Sequence, residues 1–316
     1  MSRIHEALKK AVEERVSHLS VGESLDLAAI AGSMQAPAAP AVPPTRQVAE
    51  QPARVTPPPP SEAGAFLRFD DLVKRCAHPK WKPDTRFSLF HRTDDDAKTG
   101  TERFRTMRSR LYQIAAAKQL RKVLVTSSVP NEGKTFVAAN LAQSIVHQPD
   151  RRVLLIEADL RAPLLHVTLG APTSPGLTDY LRGEANEYDV IQHSSEVNLC
   201  FIPCGHPVSN PSELLSGDRM KKLLDLVTPV FDWVILDSPP SLAIHDASIL
   251  ADLCDGVLFV VKAGETNHEV AKKAASEFRN KNLLGVVLNR VEHAEGYGDF
   301  YYGHVGEEEQ PVLRVS

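Results

Sequence analysis

No apolar run in the 316 residues approaches the ~18 needed for a bilayer-spanning helix, so no membrane span is expected. The first residues also lack the apolar centre of a secretory signal, and a cytoplasmic protein is the expectation. Cysteine is scarce. Cys76, Cys200, Cys204 and Cys254 form no C-x-x-C pair, which removes the usual zinc spacing. Cys200 and Cys204, at even spacing on an expected strand, read as buried, reduced thiols facing one side. There is no excess of basic residues either. The 36 Lys and Arg against 40 Asp and Glu give a formal charge of −4, with no general electrostatic case for nucleic acid.

Proline is concentrated in one place: nine of the 23 lie between Pro37 and Pro60. Such a segment cannot pack and reads as a disordered, extended linker over 36–62. Before it, in 1–35, Ile4, Leu8, Val12, Val16 and Leu19 recur mostly four apart among Arg3, Lys9, Lys10 and Arg15. That pattern predicts a short amphipathic helix, read either as a frayed end or as a docking element for a partner or membrane surface. Residues 63–99 form a connecting segment with at most a short helix. The acidic run Asp94 to Asp96 reads as a solvated turn. The next helix, about 100–118, carries Phe104, Met107, Leu111 and Ile114 on one stripe. Glu102, Arg105 and Arg108 recur at three-residue spacing on a neighbouring face, where Glu and Arg can pair.

From Val123 the pattern becomes regular. Apolar strands are expected at 123–127, 153–157, 199–203, 233–237, 257–261 and 285–288, with helical stretches between most of them. Near-continuous Val, Ile and Leu implies strands buried on both faces, hence an α/β fold with a mostly parallel sheet flanked by helices. In such sheets ligands gather at the carboxyl ends of the strands. The first strand runs into Ser128-Val129-Pro130-Asn131-Glu132-Gly133-Lys134-Thr135-Phe136, then a helix. Strand, loop and helix make a P-loop, in which backbone N–H groups wrap nucleotide phosphates, Lys134 reaches the β/γ oxygens and Thr135 is a Mg²⁺ ligand. Ser128 stands where the pattern has its first glycine.

The second strand ends Glu157-Ala-Asp159-Leu-Arg161, and the fourth ends Trp233-Val-Ile-Leu-Asp237. Three carboxylates and a guanidinium therefore meet the phosphate cradle, and Thr135 with one or two of the carboxylates suffices for Mg²⁺. Asp237 has the form of a Walker B acid. Asp246 reads as a helix N-cap. Asn289, after the last strand, is either a turn former or a partner for the adenine edge.

The P-loop with its proline, the hydrophobic-Glu157-x-Asp159-x-Arg161 strand end and the Leu236-Asp237-Ser238-Pro239-Pro240 run resemble the bacterial tyrosine kinase family. Gly176-Leu-Thr-Asp179 and Asn210-Pro-Ser-Glu-Leu-Leu-Ser216 are similar to stretches common there, as is the opening Met1-Ser-Arg-Ile-His-Glu-Ala-Leu-Lys-Lys10. The resemblance covers about 100–295. It implies ATP-dependent tyrosine autophosphorylation with Mg²⁺ as cofactor, Lys134 on phosphate, Asp159 and Asp237 on metal, and Arg161 beside the nucleotide. Glu157, where the family has Asp, occupies the position of the base or orienting carboxylate for the tyrosine hydroxyl. The implied acceptors are Tyr297, Tyr301 and Tyr302 in a flexible tail, 294–316, which leaves 100–293 as the kinase domain. Glu102-x-x-Arg105-x-x-Arg108 matches a motif implied to assemble the family into a ring. The implied partner is a transmembrane polysaccharide co-polymerase, which would bring the protein to the inner face of the membrane and tie it to exopolysaccharide polymerisation and export. Two other readings compete: a ParA/MinD-type ATPase switch, whose second Walker A position carries a lysine where this chain has Val129, and a catalytically weak ATP-binding scaffold.

Overall fold

A computed structural model describes residues 67–194, 197–242 and 244–291. The N-terminal amphipathic segment, the proline-rich linker and the segment with Tyr297, Tyr301 and Tyr302 lie outside them. Alternate residues of the central strands feed two different cores. In β1 (Lys122–Ser127), Val123 and Val125 enter one core and Leu124 the other, all fully buried. In β2 (Val153–Glu157), Val153 and Leu155 part from Leu154 and Ile156 in the same way. Each such side chain contributes about 1.5–3 kcal/mol relative to exposure.

The remaining strands are β3 (Gln192–His193), β4 (Leu199–Ile202), β5 (Trp233–Asp237), β6 (Gly256–Lys262) and β7 (Leu283–Asn289). They form one sheet in the order β3-β4-β2-β5-β1-β6-β7, parallel except for β3. β3 escapes the sequence pattern because two residues cannot display a period. β4 stops at Ile202, so Cys204 lies past the strand that holds Cys200. Both are buried, and all four cysteines are free thiols, with Cys254 only half-buried.

The helices are α1 (Phe69–Arg75), α2 (Asp95–Ala117), α3 (Lys134–Val146), α4 (Leu165–Leu169), α5 (Leu177–Arg182), α6 (Glu187–Val190), α7 (Pro211–Ser216), α8 (Asp218–Val227), α9 (Asp246–Leu253) and α10 (His268–Ser276). Residues of α2, α3 and α4 fill the core on one face of the sheet; α1 and α5 to α10 fill the other. The acidic run before α2 is not a free turn. Asp94 caps the helix by accepting from the Ala97 N–H at 3.1 Å, and Asp95 and Asp96 occupy the first turn, where the helix dipole favours them.

The connecting segment is also built in. Leu72 of α1 is fully buried, and Trp81 packs edge-on against Phe201. The Asn140 side chain on α3 accepts from the Leu89 N–H at 2.9 Å and donates to the Phe87 carbonyl at 2.7 Å. Among the described residues no helix is long and apolar enough to cross a membrane.

Candidate phosphate-binding site

The loop from Ser128 to Gly133 turns sharply at two left-handed positions, Asn131 (φ 67°) and Gly133 (φ 93°). A Cβ on Gly133 would stand 2.0 Å from Asn289 Nδ2, so sterics as well as φ require glycine here. Asn289 donates from that nitrogen to the Glu132 carbonyl at 2.9 Å. One of the two amide hydrogens is thus committed to the loop backbone.

Glu132 is the loop's internal clamp. Its buried carboxylate accepts from Ser128 Oγ at 2.8 and 3.0 Å, from the Val129 N–H at 2.8 Å and from Thr266 Oγ1 at 2.6 Å. The serine in the first glycine position therefore supplies a hydroxyl that closes the loop on itself. Pro130 and Asn131 are exposed at the tip. Phe136 packs its ring edge-on against Phe104, which pins α2 to α3. No side chain caps the start of α3, so its first-turn N–H groups remain free of side-chain caps where phosphate would sit.

Strand register brings the acids to this helix end, since Asp237 pairs with Val125 of β1 and Glu157 of β2. Lys134 Nζ lies 2.8 Å from Asp159 Oδ2 and 3.9 Å from Asp237 Oδ1. Thr135 Oγ1 donates to Asp237 Oδ2 at 2.7 Å. Burial works against the charge on Lys134, but the pull of Asp237 and Asp159 outweighs it and holds the ammonium above its ordinary range. Burial likewise pushes Asp237 up to about 7, more than the attraction of Lys134 pulls it down. Asp237 Oδ1 is buried with no hydrogen-bond partner. An orphan acceptor of this kind costs about 1–3 kcal/mol, more when charged, and a hard divalent cation would satisfy it. The donor set Thr135, Asp159 and Asp237 thus fits Mg²⁺.

Glu157 departs from its expected part. Its fully buried carboxylate accepts from the N–H groups of Leu165 at 2.5 Å, His166 at 3.1 Å and Cys204 at 3.0 Å, and faces His166 Nδ1 at 3.0 and 3.1 Å. A carboxylate offers about four acceptor positions, and these are filled. In this arrangement the saturation favours the orienting reading of Glu157 over the direct-base one. The helix N-terminus it holds is that of α4.

Arg161 pairs with a carboxylate outside the P-loop while still within the field of Asp159. Its Nε lies 2.8 Å from Asp246 Oδ2, and its Nη2 2.8 Å from Ser212 Oγ, which itself donates to Asp246. Asp246 is accordingly the buried acceptor for two motifs, while His245 takes the N-cap position expected of it. Gly176 and Asp179 form a similar local unit: the Gly176 N–H donates to Asp179 Oδ2 at 2.7 Å, and His206 Nδ1 approaches Asp179 Oδ1 at 2.7 Å. Sequence reasoning missed His166, whose partner Glu157 is nine residues back across an irregular loop, and misread Asp246 because Arg161 and Ser212 are 85 and 34 residues away.

Of the three residues on α2, Glu102 and Arg105 pair on the exposed surface. Arg108 instead reaches the Ser144 carbonyl of α3 at 2.5 Å, so it serves packing within the chain.

A family profile described as an AAA domain matches residues 128–276. The tyrosine-protein kinase YwqD of Bacillus subtilis (strain 168) is 38% identical over 208 residues, 64% of this chain and 86% of that protein. The tyrosine-protein kinase CpsD of Streptococcus agalactiae is 32% identical over 230 residues, 72% of this chain and 98% of that one. Among solved structures, the kinase domain of the Escherichia coli tyrosine kinase ETK is similar at a TM-score of 0.60 and 32% identity, covering 65% of this chain and 84% of that domain.

Proposed function

This chain belongs to the bacterial tyrosine kinases, and we propose that it transfers the γ-phosphoryl group of ATP to tyrosines in its own C-terminal segment, 294–316. The carrying observation is the cluster of Lys134, Thr135, Asp159 and Asp237 at the start of α3, with Asp237 Oδ1 buried and without a hydrogen-bond partner. Phosphate binding would exchange the bond between Lys134 and Asp159 for the β/γ oxygens and leave Asp159 free toward the metal. Mg²⁺ held by Thr135, Asp159 and Asp237 would supply charge neutralisation between the β- and γ-phosphates. The nearly dissociative character of phosphoryl transfer makes positioning and charge, rather than covalent chemistry, the protein's task.

Phosphorylation of the C-terminal segment would regulate exopolysaccharide polymerisation and export. The partner would be a transmembrane co-polymerase whose cytosolic tail stimulates the kinase and holds it at the inner face of the membrane. Residues 1–35, tethered by 36–62, offer a docking element for that contact. Purified protein incubated with Mg-ATP, with and without candidate co-polymerase tails, should yield phosphotyrosine on immunoblots. Nucleotide hydrolysis with no phosphotyrosine in either sample would turn the reading to an ATPase switch or a scaffold.

Ring assembly rests on the exposed part of the α2 motif. Arg108 spends one donor on Ser144, and Arg105, exposed and paired only with its own helix's Glu102, is the more accessible guanidinium for a neighbouring subunit's carboxylate. Arg105→Ala should shift the protein toward monomer in light scattering, and an unchanged mass would leave only the local pair with Glu102.

A further inference from the structure

We propose that the C-terminal segment returns as an antiparallel strand on the free edge of β7, laying Phe300 and Tyr302 over Leu288 and Val286, and that its phosphorylation releases it. The docking stands on the sheet edge; the release rests on the kinase reading above. β7 closes the sheet order and, among the described residues, pairs only with β6. The Asn289 carbonyl accepts from the Ala263 N–H at 2.9 Å, just past β6. In a parallel ladder alternate residues turn N–H and C=O to the same neighbour, so those of Leu288 and Val286 face the open edge. Their side chains are uncovered as well, 63% and 53% exposed. Their register partners on β6, Val261 and Phe259, are buried in the core that Ala274 of α10 helps to fill. The apolar face therefore runs one strand further than the helix layer that covers it. An edge with an apolar row and unpaired backbone groups is a template for another strand.

The occupant is tethered to that edge. Arg290 takes a left-handed conformation (φ 55°), which ends β7 and turns the chain, and residues 292–316 continue from there. They include Phe300-Tyr301-Tyr302, three strand-favouring residues in a row, preceded by Gly296 and Gly298, which suit a turn. Val312-Leu-Arg-Val315 is a second β-type stretch, but its return would close a longer loop at a higher entropic cost. With Phe300 opposite Leu288, antiparallel pairing sets Tyr302 opposite Val286. Phe300 and Tyr302 are two apart, so both rings fall on the face of the exposed pair, where aromatic side chains pack well on aliphatic ones. Asp299 then lies beside the exposed Arg290, its opposite in charge. Phe300 has no hydroxyl to phosphorylate, and this pairing gives it a part: it is the anchor of the cluster.

Docked and phosphorylated states exclude each other. In the transfer the phenolic oxygen bonds to the γ-phosphorus, the bond from that phosphorus to the β–γ bridging oxygen breaks, and ADP and the phenolic proton leave. A phosphate on Tyr302 adds about −1.5 to −2 charge to a strand seated on Val286 and already carrying Asp299. The edge thus stores the unmodified acceptor segment and gives up the modified one.

Amide hydrogen exchange on the full chain without nucleotide, read by NMR, tests the docking. The Val286 and Leu288 N–H groups should exchange roughly tenfold or more slowly than in the Phe300→Ser chain, at a rate independent of protein concentration. The Val287 N–H, which faces β6, should not change. Leu288→Ser, on the exposed side of the edge, should speed Val286 by the same factor, and the two changes together should do no more than either alone. Incubation with Mg-ATP should remove the protection from the wild-type chain and leave it in Lys134→Met. Equal exchange at the edge amides in wild type and Phe300→Ser would overturn the docking, as would protection that grows with protein concentration and so belongs to a second copy. Protection that survives phosphorylation of Tyr302, checked by mass spectrometry, would overturn the release. A wild-type chain that shows the protection yet forms no phosphotyrosine would overturn the kinase reading and uphold the docking.

Discussion

Lys134→Met should abolish measurable phosphotyrosine formation and weaken nucleotide binding. The Lys134 ammonium sits 2.8 Å from Asp159 and 3.9 Å from Asp237, inside the field of three acidic side chains. Methionine fills similar volume without the charge, so the core is kept while the β/γ oxygens lose their cation. Loss of one preorganised charge contact at a transferring group costs roughly 10²–10³ in rate, and here the same change also leaves the carboxylates facing one another. Stability should respond with a defined sign. Asp237 titrates at about 7 in the folded chain, above its unfolded value, so the folded state binds the proton more tightly and stability falls as pH rises through that interval. Without Lys134 the Asp237 pKa climbs further, and the variant's deficit in thermal melts should be larger at pH 8 than at pH 6. Titration of a fluorescent ATP analogue together with immunoblotting checks the functional half. Unchanged affinity and activity would remove Lys134 from the phosphates.

What could be read from the residues alone was the chemistry that depends on short spacing. The loop 128–136 needs its residues consecutive, and Asp159 and Asp237 follow directly on apolar strands, so both were visible beside the strand-loop-helix pattern. Most of the sheet was legible for the same reason, because strands buried on both faces spell themselves out in Val, Ile and Leu, although β7, equally apolar, leaves Val286 and Leu288 exposed. The parts that escaped depend on partners far along the chain. Asp246 looks like a cap until Arg161 and Ser212, 85 and 34 residues away, arrive on its carboxylate. Glu157 looks like a free acid until the N–H of Cys204, 47 residues on, closes over it. Arg108 looks like a surface assembly residue, yet one of its guanidinium N–H groups reaches the Ser144 carbonyl, 36 residues on. In each case the residue type was informative and its direction was not, because direction is set by packing between elements.

Replacing Tyr297, Tyr301 and Tyr302 together by phenylalanine should remove nearly all autophosphorylation while leaving ATP binding intact. The chain has six tyrosines, and the other three are engaged in the fold. Tyr112 donates its hydroxyl to Gln148 at 2.6 Å and stacks on Trp233. Tyr180 is buried, which pushes its phenol above the ordinary range. Tyr188 lies under the Arg75 guanidinium, 3.5 Å from the ring centroid. Phosphate on any of these would bring about −1.5 to −2 charge into packed surroundings. The C-terminal segment starts from a different place. It leaves β7 at Asn289, whose side chain is bonded to the P-loop backbone at Glu132, so its root is at the rim of the phosphate site. Tyr297 follows eight residues later, and at ~3.3–3.6 Å per residue it can reach up to roughly 28 Å from that root, enough for its own site or a neighbour's. Asp299 and Glu307 to Glu309 surround the cluster, so successive phosphates would add repulsion and loosen any assembly the segment bridges. Mass spectrometry after incubation with Mg-ATP decides it: phosphate on Tyr112, Tyr180 or Tyr188 with none on the cluster, or a triple variant as heavily phosphorylated as wild type, would place the acceptor elsewhere.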